Sequence, residues 1–262
     1  MGKIITVSNN KGGILKTSLT VNLAGVLANQ GQKVLIVDTD SQSNVALTFG
    51  KNPDEYENTI FEVLTEDFPI KDAIVQAHED HENIFILPSN ESLADFEQRV
   101  SENPDMYPNP LDLFKEKIEE VRDSFDTILV DTPPNLSMLV GCVLNGSDSV
   151  IIPFHAETYN IRSIIKTIES IENFKETNEK LEILGVVPTK VKKNTSIHNE
   201  TILLCQQFCN TKKIKVTNNV VKETIKFADA LAKERKPLTL IKKKEKLEAV
   251  QDYIKIAKEL NL

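Results

Sequence analysis

Cysteine is scarce in this 262-residue sequence, and Cys142, Cys205 and Cys209 form no C-x-x-C pair. An odd number in a chain of this size fits a reducing cytoplasm and argues against a disulfide framework. Cys205 and Cys209 stand four apart on a helical pattern, a spacing that suits core packing better than metal binding. The four histidines, His78, His81, His155 and His198, are scattered, and the first two lie in an acidic loop. No catalysis is assigned to them. Long apolar runs are also missing: none approaches the roughly 20 residues of a membrane span. There is no linker rich in Gly, Ser or Pro and no internal repeat, so one domain over residues 1–262 is expected, near the upper size of a single core. Pro104, Pro108 and Pro110 mark a surface loop, because prolines so close together cannot continue a helix.

The first motif begins within ten residues of Met1, so no signal peptide, transit peptide or helix-turn-helix domain is expected ahead of it. A soluble, cytoplasmic protein without a membrane partner is expected. That motif is Lys11-Gly12-Gly13-Ile14-Leu15-Lys16-Thr17, directly after the strand-like run Lys3 to Ser8. Side-chain-free positions at Gly12 and Gly13 let backbone N–H groups converge on phosphate oxygens, and a helix opening at Lys16 adds the positive end of its dipole. In such a loop Lys16 pairs with the β- and γ-phosphates and the Thr17 hydroxyl ligates Mg²⁺. Taken alone, the seven residues also fit an ordinary Gly-Gly turn between a strand and a helix.

A strict G-x-x-x-x-G-K-S/T pattern fails at both glycines, where Asn10 and Leu15 stand. What replaces it is a second lysine, Lys11. The form K-G-G-x-x-K-S/T resembles the deviant Walker A box of the ParA/MinD group of P-loop ATPases. In that group the extra lysine reaches across a dimer interface to the partner's nucleotide, and the first strict glycine is normally absent. Leu15 departs from the group's usual glycine, and a side chain there bears on loop conformation, nucleotide affinity and turnover.

Two further boxes follow in the order the resemblance requires. Val34 to Val37 is a buried-strand run that ends in Asp38-Thr39-Asp40-Ser41-Gln42-Ser43-Asn44, similar to the family's D-x-D-P-Q-x-N box with Ser41 in place of proline. The resemblance makes Asp40 the acid that positions the attacking water and supports the metal shell, with Asp38 secondary. Read without it, two acids after a strand also suit a helix cap and a solvated loop. Thr127 to Val130 ends in Asp131-Thr132-Pro133-Pro134, which resembles the Walker B aspartate and its D-x-P-P turn. Asp131 then holds a water of the Mg²⁺ shell, at the carboxyl end of a strand where α/β sheets place ligands.

Apolar strands near residues 3–8, 33–37, 83–87, 126–130, 148–152, 181–187 and 213–216 alternate with helical patterns over 18–29, 111–122, 159–174 and 195–208. The alternation predicts an α/β fold, a doubly wound, mostly parallel sheet with helices on both faces, as in P-loop NTPases of the deviant Walker A type.

Charge is divided along the chain. The total is −8, but residues 1–179 carry 13 bases against 30 acids, a net −17, and residues 180–262 carry 18 against 9, a net +9. Lysine concentrated in the last third of an acidic protein is the footprint of a polyanion partner, DNA first and an anionic membrane second. The candidates are Lys190, Lys192 and Lys193 after one strand, Lys222 and Lys226 on one predicted helix face, and Lys242, Lys243, Lys244 and Lys246. Each also suits a plain solvated surface.

By resemblance, then, ATP with Mg²⁺ is the cofactor, and Lys11, Gly12, Gly13, Ile14, Leu15, Lys16, Thr17 and Ser18 form its phosphate loop. Asn219, in a partial match to a P-R-N-x segment, contacts adenine. Lys11, Lys16 and Asp40 carry catalysis, and Thr17, Asp40 and Asp131 serve the metal. The family implies an ATP-closed homodimer on nucleoid DNA, with slow hydrolysis stimulated by a ParB-type centromere-binding protein. Two alternatives share the boxes: a MinD-like membrane ATPase, and a nucleotide-gated adaptor that has lost turnover through Leu15. The first needs a terminal amphipathic helix in lipid, whereas Leu247, Val250, Ile254, Ala257 and Leu260 suit core packing.

Overall fold

A computed structural model describes residues 1–156, 161–192 and 196–262. Among these residues a seven-stranded sheet runs in the order β3-β4-β2-β5-β1-β6-β7. Its strands are β1 (Lys3–Val7), β2 (Val34–Asp38), β3 (Val75–His78), β4 (His81–Leu87), β5 (Thr127–Asp131), β6 (Ser149–His155) and β7 (Glu182–Thr189). Every neighbouring pair is parallel except the β3–β4 hairpin at one edge. The helices are α1 (Lys16–Asn29), α2 (Asn44–Thr48), α3 (Ile60–Thr65), α4 (Ile70–Ala73), α5 (Phe96–Glu102), α6 (Leu113–Glu119), α7 (Met138–Asn145), α8 (Ile161–Phe174), α9 (Ser196–Thr211), α10 (Lys226–Glu234) and α11 (Glu248–Glu259).

The strands are buried because both of their faces are covered. Val34 and Ile36 of β2 join Leu19, Leu23 and Leu27 of α1 and Tyr253 and Ile256 of α11 on one face. Leu35 and Val37 join Val63 of α3, Phe96 of α5 and Phe114 of α6 on the other. Alternate residues of one strand thus feed opposite cores, which is why β2 and β5 read as continuous apolar runs. β6, β7, α8 and α9 enclose a third cluster that includes Ile152, Ile168 and Cys209. The apolar side of α11 belongs to the protein core: Val250, Ala257 and Leu260 are buried, and Leu247 and Ile254 pack partly against it. No helix among the described residues is long and apolar enough to cross a membrane.

Three expectations are corrected. Residues 213–216 do not form a sheet strand; Val216 makes a single parallel bridge to Val186 beside the β7 edge. The 111–122 pattern breaks into a 3₁₀ turn at Pro110–Asp112, α6 and a second 3₁₀ turn at Arg122–Ser124, consistent with Pro110 opening the first of these. Lys222 precedes α10, so it shares no helix face with Lys226. Lys193 and the expected starts of the 159–174 and 195–208 helices lie outside the described residues.

Candidate nucleotide site

β1, β5 and β2 are adjacent and in register, with Val7 opposite Asp131 and Asp131 opposite Asp38. The three motif segments therefore leave the sheet side by side at its carboxyl edge, where consecutive connections diverge and a crevice opens. β1 runs through Ser8 to Leu15 into α1. The buried Asn9 anchors that loop by donating to the Pro153 carbonyl at 2.8 Å and accepting from the Lys11 N–H at 3.1 Å. Asn10 accepts from the hydroxyls of Ser163 and Thr167 on α8, at 2.9 and 3.1 Å. Thr189 at the end of β7 donates to the Ile14 carbonyl at 3.0 Å.

Two residues of the loop have left-handed backbone. Gly13 has φ 69°, which costs glycine nothing, and Leu15 also has φ 69°. For a leucine that conformation costs about 1–2 kcal/mol. Its side chain is half-buried against the core that contains α1. Ser43 and Lys190, at φ 53°, are likewise left-handed. Strained backbone of this kind gathers where a site dictates the chain's path. No side chain caps α1, and its first turn holds no acid, so the helix presents its positive end to the crevice.

Lys16 is buried and its Nζ donates to the Lys11 carbonyl at 3.0 Å. Burial lowers its pKa against the opposing pull of Asp131 and Asp40. Thr17 donates its hydroxyl to Asp131 Oδ2 at 2.6 Å, and Thr20 donates to Oδ1 at 3.2 Å. Asp131 has no exposed surface. Burial pushes its pKa up to about 7, although the Thr17 hydroxyl and Lys16 pull it down. Asp38 is equally buried and is pushed well up by that burial and by Asp131, while accepting backbone N–H bonds from Asp40 and Val45. Asp40 is half-buried and its Oδ1 caps the Gln42 N–H at 3.0 Å.

A cavity of about 570 Å³ opens over these groups. Gly12, Gly13, Leu15, Lys16, Thr17, Ser18 and Asp40 of the expected set line it. α2 contributes Leu47 and α10 contributes Phe227 and Leu231, an apolar wall that no motif announced. Lys190 also lines this cavity, although it was expected among the polyanion contacts. Asn219 does not line it; its N–H and side-chain amide both donate to Glu259 on α11. Among the other lysines, Lys192 pairs with Glu223 at 3.5 Å and Lys222 with Asp252 at 2.9 Å. Lys226, Lys242 and Lys243 are exposed, and Lys244 is half-buried. Among the described residues no cluster of three or more His, Cys, Asp or Glu side chains forms a ready metal site.

Sequence reasoning missed Asn9, Ser163, Thr167 and Thr189. The only signal for the middle two is a pair of hydroxyl residues four apart on an otherwise amphipathic helix, which says nothing of a partner more than 150 positions away.

Comparison with known proteins agrees with this arrangement. A family model described as an AAA domain matches residues 2–183. A ParA family protein of Mycoplasma genitalium is 31% identical over 98% of this chain and 96% of its own length. The sporulation initiation inhibitor protein Soj of Bacillus subtilis is 29% identical over 99% and 98%. Cobyrinic acid a,c-diamide synthase of Mycobacterium smegmatis, solved with an ATP analogue and magnesium, superposes with a TM-score of 0.77 at 26% identity, over 89% of this chain and 95% of that one. With its strand-to-helix phosphate loop and two further acidic boxes at one sheet edge, the chain belongs to the ParA family of P-loop partition ATPases.

Proposed function

We propose that the protein is an ATP-dependent partition switch: ATP with Mg²⁺ closes a homodimer, the dimer holds DNA without regard to sequence, and hydrolysis, stimulated by a ParB-type partner, releases it. The observation that carries this reading is the convergence of Lys16, Thr17 and Asp40 on one cavity, with the buried Asp131 bonded to Thr17 behind its wall.

The residues fit the cofactor. Lys16 gives the buried cavity floor a cation for phosphate oxygens, and the loop glycines leave room for backbone N–H groups beside it. The hydroxyl of Thr17 and the carboxylates of Asp40 and Asp131 are the hard oxygen donors that Mg²⁺ takes, and with so few protein ligands the ion keeps phosphate and water oxygens as well. Bound there, it supplies charge that polarises the phosphoryl group. Asp40, nearer the surface than Asp131, orients the water, and Lys11 acts on the partner protomer's nucleotide. Magnesium bound by the mycobacterial synthase, which also carries an ATP analogue, supports the same pairing. The switch acts through the difference between its nucleotide states, each preferring different partners.

DNA binding tests the reading. Random-sequence duplex should bind with ATP and not with ADP, and the affinity should fall steeply with salt, about 0.9 in log–log slope for each phosphate neutralised. Replacing Lys192, Lys193 and Lys222 by alanine should weaken binding to every sequence alike and make the slope shallower, while the variant still binds ATP. ATP-dependent flotation with liposomes, without binding to random DNA, would favour the membrane alternative instead.

A further inference from the structure

Asp252 and Glu248 close on Lys222. Lys222 Nζ donates to both oxygens of Asp252, at 3.0 and 2.9 Å, and lies 3.0 Å from Glu248 Oε1. Asp252 is 4% exposed, so Lys222 takes the place of the water that would otherwise solvate its charge. Together with Lys192, Lys226 and Glu223 they line a second cavity of about 350 Å³. Among the described residues, three cations there face three anions. A phosphodiester brought to Lys222 meets two carboxylates about 3 Å from that single cation, and their charge outweighs its attraction.

This closed contact hangs from the nucleotide cavity by two routes. Tyr253, next to Asp252 on α11, is buried, and its hydroxyl lies 3.5 Å from the Ser18 hydroxyl, one residue beyond Thr17. Its ring meets Phe227, which lines the nucleotide cavity, edge to face at 5.4 Å. On the other side Thr189 holds the Ile14 carbonyl of the phosphate loop, and Lys190 lines the cavity. The next residue, Val191, brackets Lys222, donating to the Val221 carbonyl at 3.1 Å and accepting from the Glu223 N–H at 3.1 Å. The backbone of Lys222 and its buried partner are thus each attached to residues that border the phosphates' place.

We propose that Asp252 and Glu248 form an acid lock on Lys222 that masks a phosphodiester-binding cavity, and that filling the phosphate loop opens it through Ser18–Tyr253 and Ile14–Thr189. The inference rests on the DNA-binding reading above and names its regulation. Without nucleotide, the lysine faces its own protein's acids; with nucleotide, it turns to DNA. Charge cancellation within one cavity gives nucleotide dependence a local cause in addition to the doubling of surface that a dimer brings.

The test uses the full chain, random-sequence duplex DNA and fluorescence anisotropy across a salt series, without nucleotide and with a non-hydrolysable ATP analogue. Asp252→Asn keeps the shape and an acceptor for Lys222, Glu248→Gln works from the exposed end, and Asp105→Asn in the proline loop is a control with the same change of charge. Without nucleotide, the two lock variants should bind about tenfold tighter than the control, as for a close charge pair set free. Their salt slope should steepen by about 0.9 for each phosphate gained. Adding Lys222→Ala to Glu248→Gln should abolish the gain. Lock variants that bind no better than Asp105→Asn, while the parent binds DNA with the analogue, overturn the lock and leave the DNA reading standing. If neither the parent with the analogue nor any lock variant binds DNA, both fall. Circular dichroism of Asp252→Asn shows whether it folds, and Glu248→Gln decides the matter if it does not.

Discussion

Thr17 and Asp131 are joined by a 2.6 Å hydrogen bond that ties the first turn of α1 to the last residue of β5. The two residues are 114 positions apart; Thr17 closes the phosphate-loop motif and Asp131 opens the D-x-P-P motif. The bond gives a buried carboxylate one of its few compensations: a second hydroxyl, from Thr20, and the nearby Lys16 supply the rest, and together they do not offset burial.

A pH dependence follows from that deficit. An unfolded aspartate titrates near 3.9, whereas Asp131 in the folded protein titrates at about 7. Between those values the folded state binds more protons than the unfolded state, so this group's contribution to stability falls as pH rises from about 4 to about 7 and is constant above. Asp38, raised by the same burial, acts in the same direction. Melting temperatures of the nucleotide-free protein across that window should decline less steeply in Asp131→Asn than in the parent. Parallel pH profiles would show that Asp131 is ionised throughout.

Leu15 is the second point of strain. Leu15→Gly removes a left-handed penalty of about 1–2 kcal/mol, but it gives back conformational freedom to the unfolded chain and loses a half-buried side chain. The melting point should therefore move little. Nucleotide affinity should rise, because glycine lets the loop close on phosphates and clears the cavity wall that Leu15 shares with Phe227. Leu15→Ala keeps the backbone penalty while removing most of the bulk, and titration calorimetry on both separates conformation from crowding. Equal or weaker affinity in the glycine variant would show a loop adapted to leucine.

The parts legible in the sequence were those fixed by short segments. β2 and β5 are five-residue runs buried throughout, and each ends in the aspartate of its motif, so apolar continuity and acid mark the strand and its carboxyl end together; β1 is buried after Lys3 and leads through Ser8 to the glycine loop. β3 was missed because Val75–His78 is a four-residue antiparallel edge strand with only Ala77 buried, too short and too exposed for a pattern. Residues 213–216 have the composition of a strand, but only Val216 pairs with β7, as an isolated bridge, and no run of pairs develops. Lysine positions were legible as charge and not as function. Nothing local to Lys222 foretells Asp252, and nothing local to Asn219 foretells Glu259, since both acids come from α11 at the other end of the segment.

Asp40 separates binding from turnover. It is half-buried, and its side chain caps the Gln42 N–H, a bond worth about 1 kcal/mol. Asp40→Ala should fold with a loss of that order, bind ATP as the parent does, and lose hydrolysis. On DNA with ATP it should accumulate in the bound state, seen as a slower release after dilution. Normal phosphate release from this variant would take Asp40 out of the catalytic set.

Lys11 gives the sharpest separation, because its main-chain and side-chain roles can be distinguished. Its carbonyl accepts from Lys16 Nζ at 3.0 Å, and its N–H donates to Asn9 Oδ1 at 3.1 Å. Both are backbone bonds, and alanine keeps them. Lys11→Ala should therefore preserve the loop, hold Lys16 in place and retain nucleotide binding. A side chain that serves a second protomer's nucleotide is lost altogether, so the variant should stay monomeric with a non-hydrolysable ATP analogue under conditions where the parent sediments as a dimer. Its DNA binding should fail with its dimerisation. A variant that still dimerises with the analogue would confine Lys11 to its own loop, and the charge that acts across the interface would have to come from elsewhere in the chain.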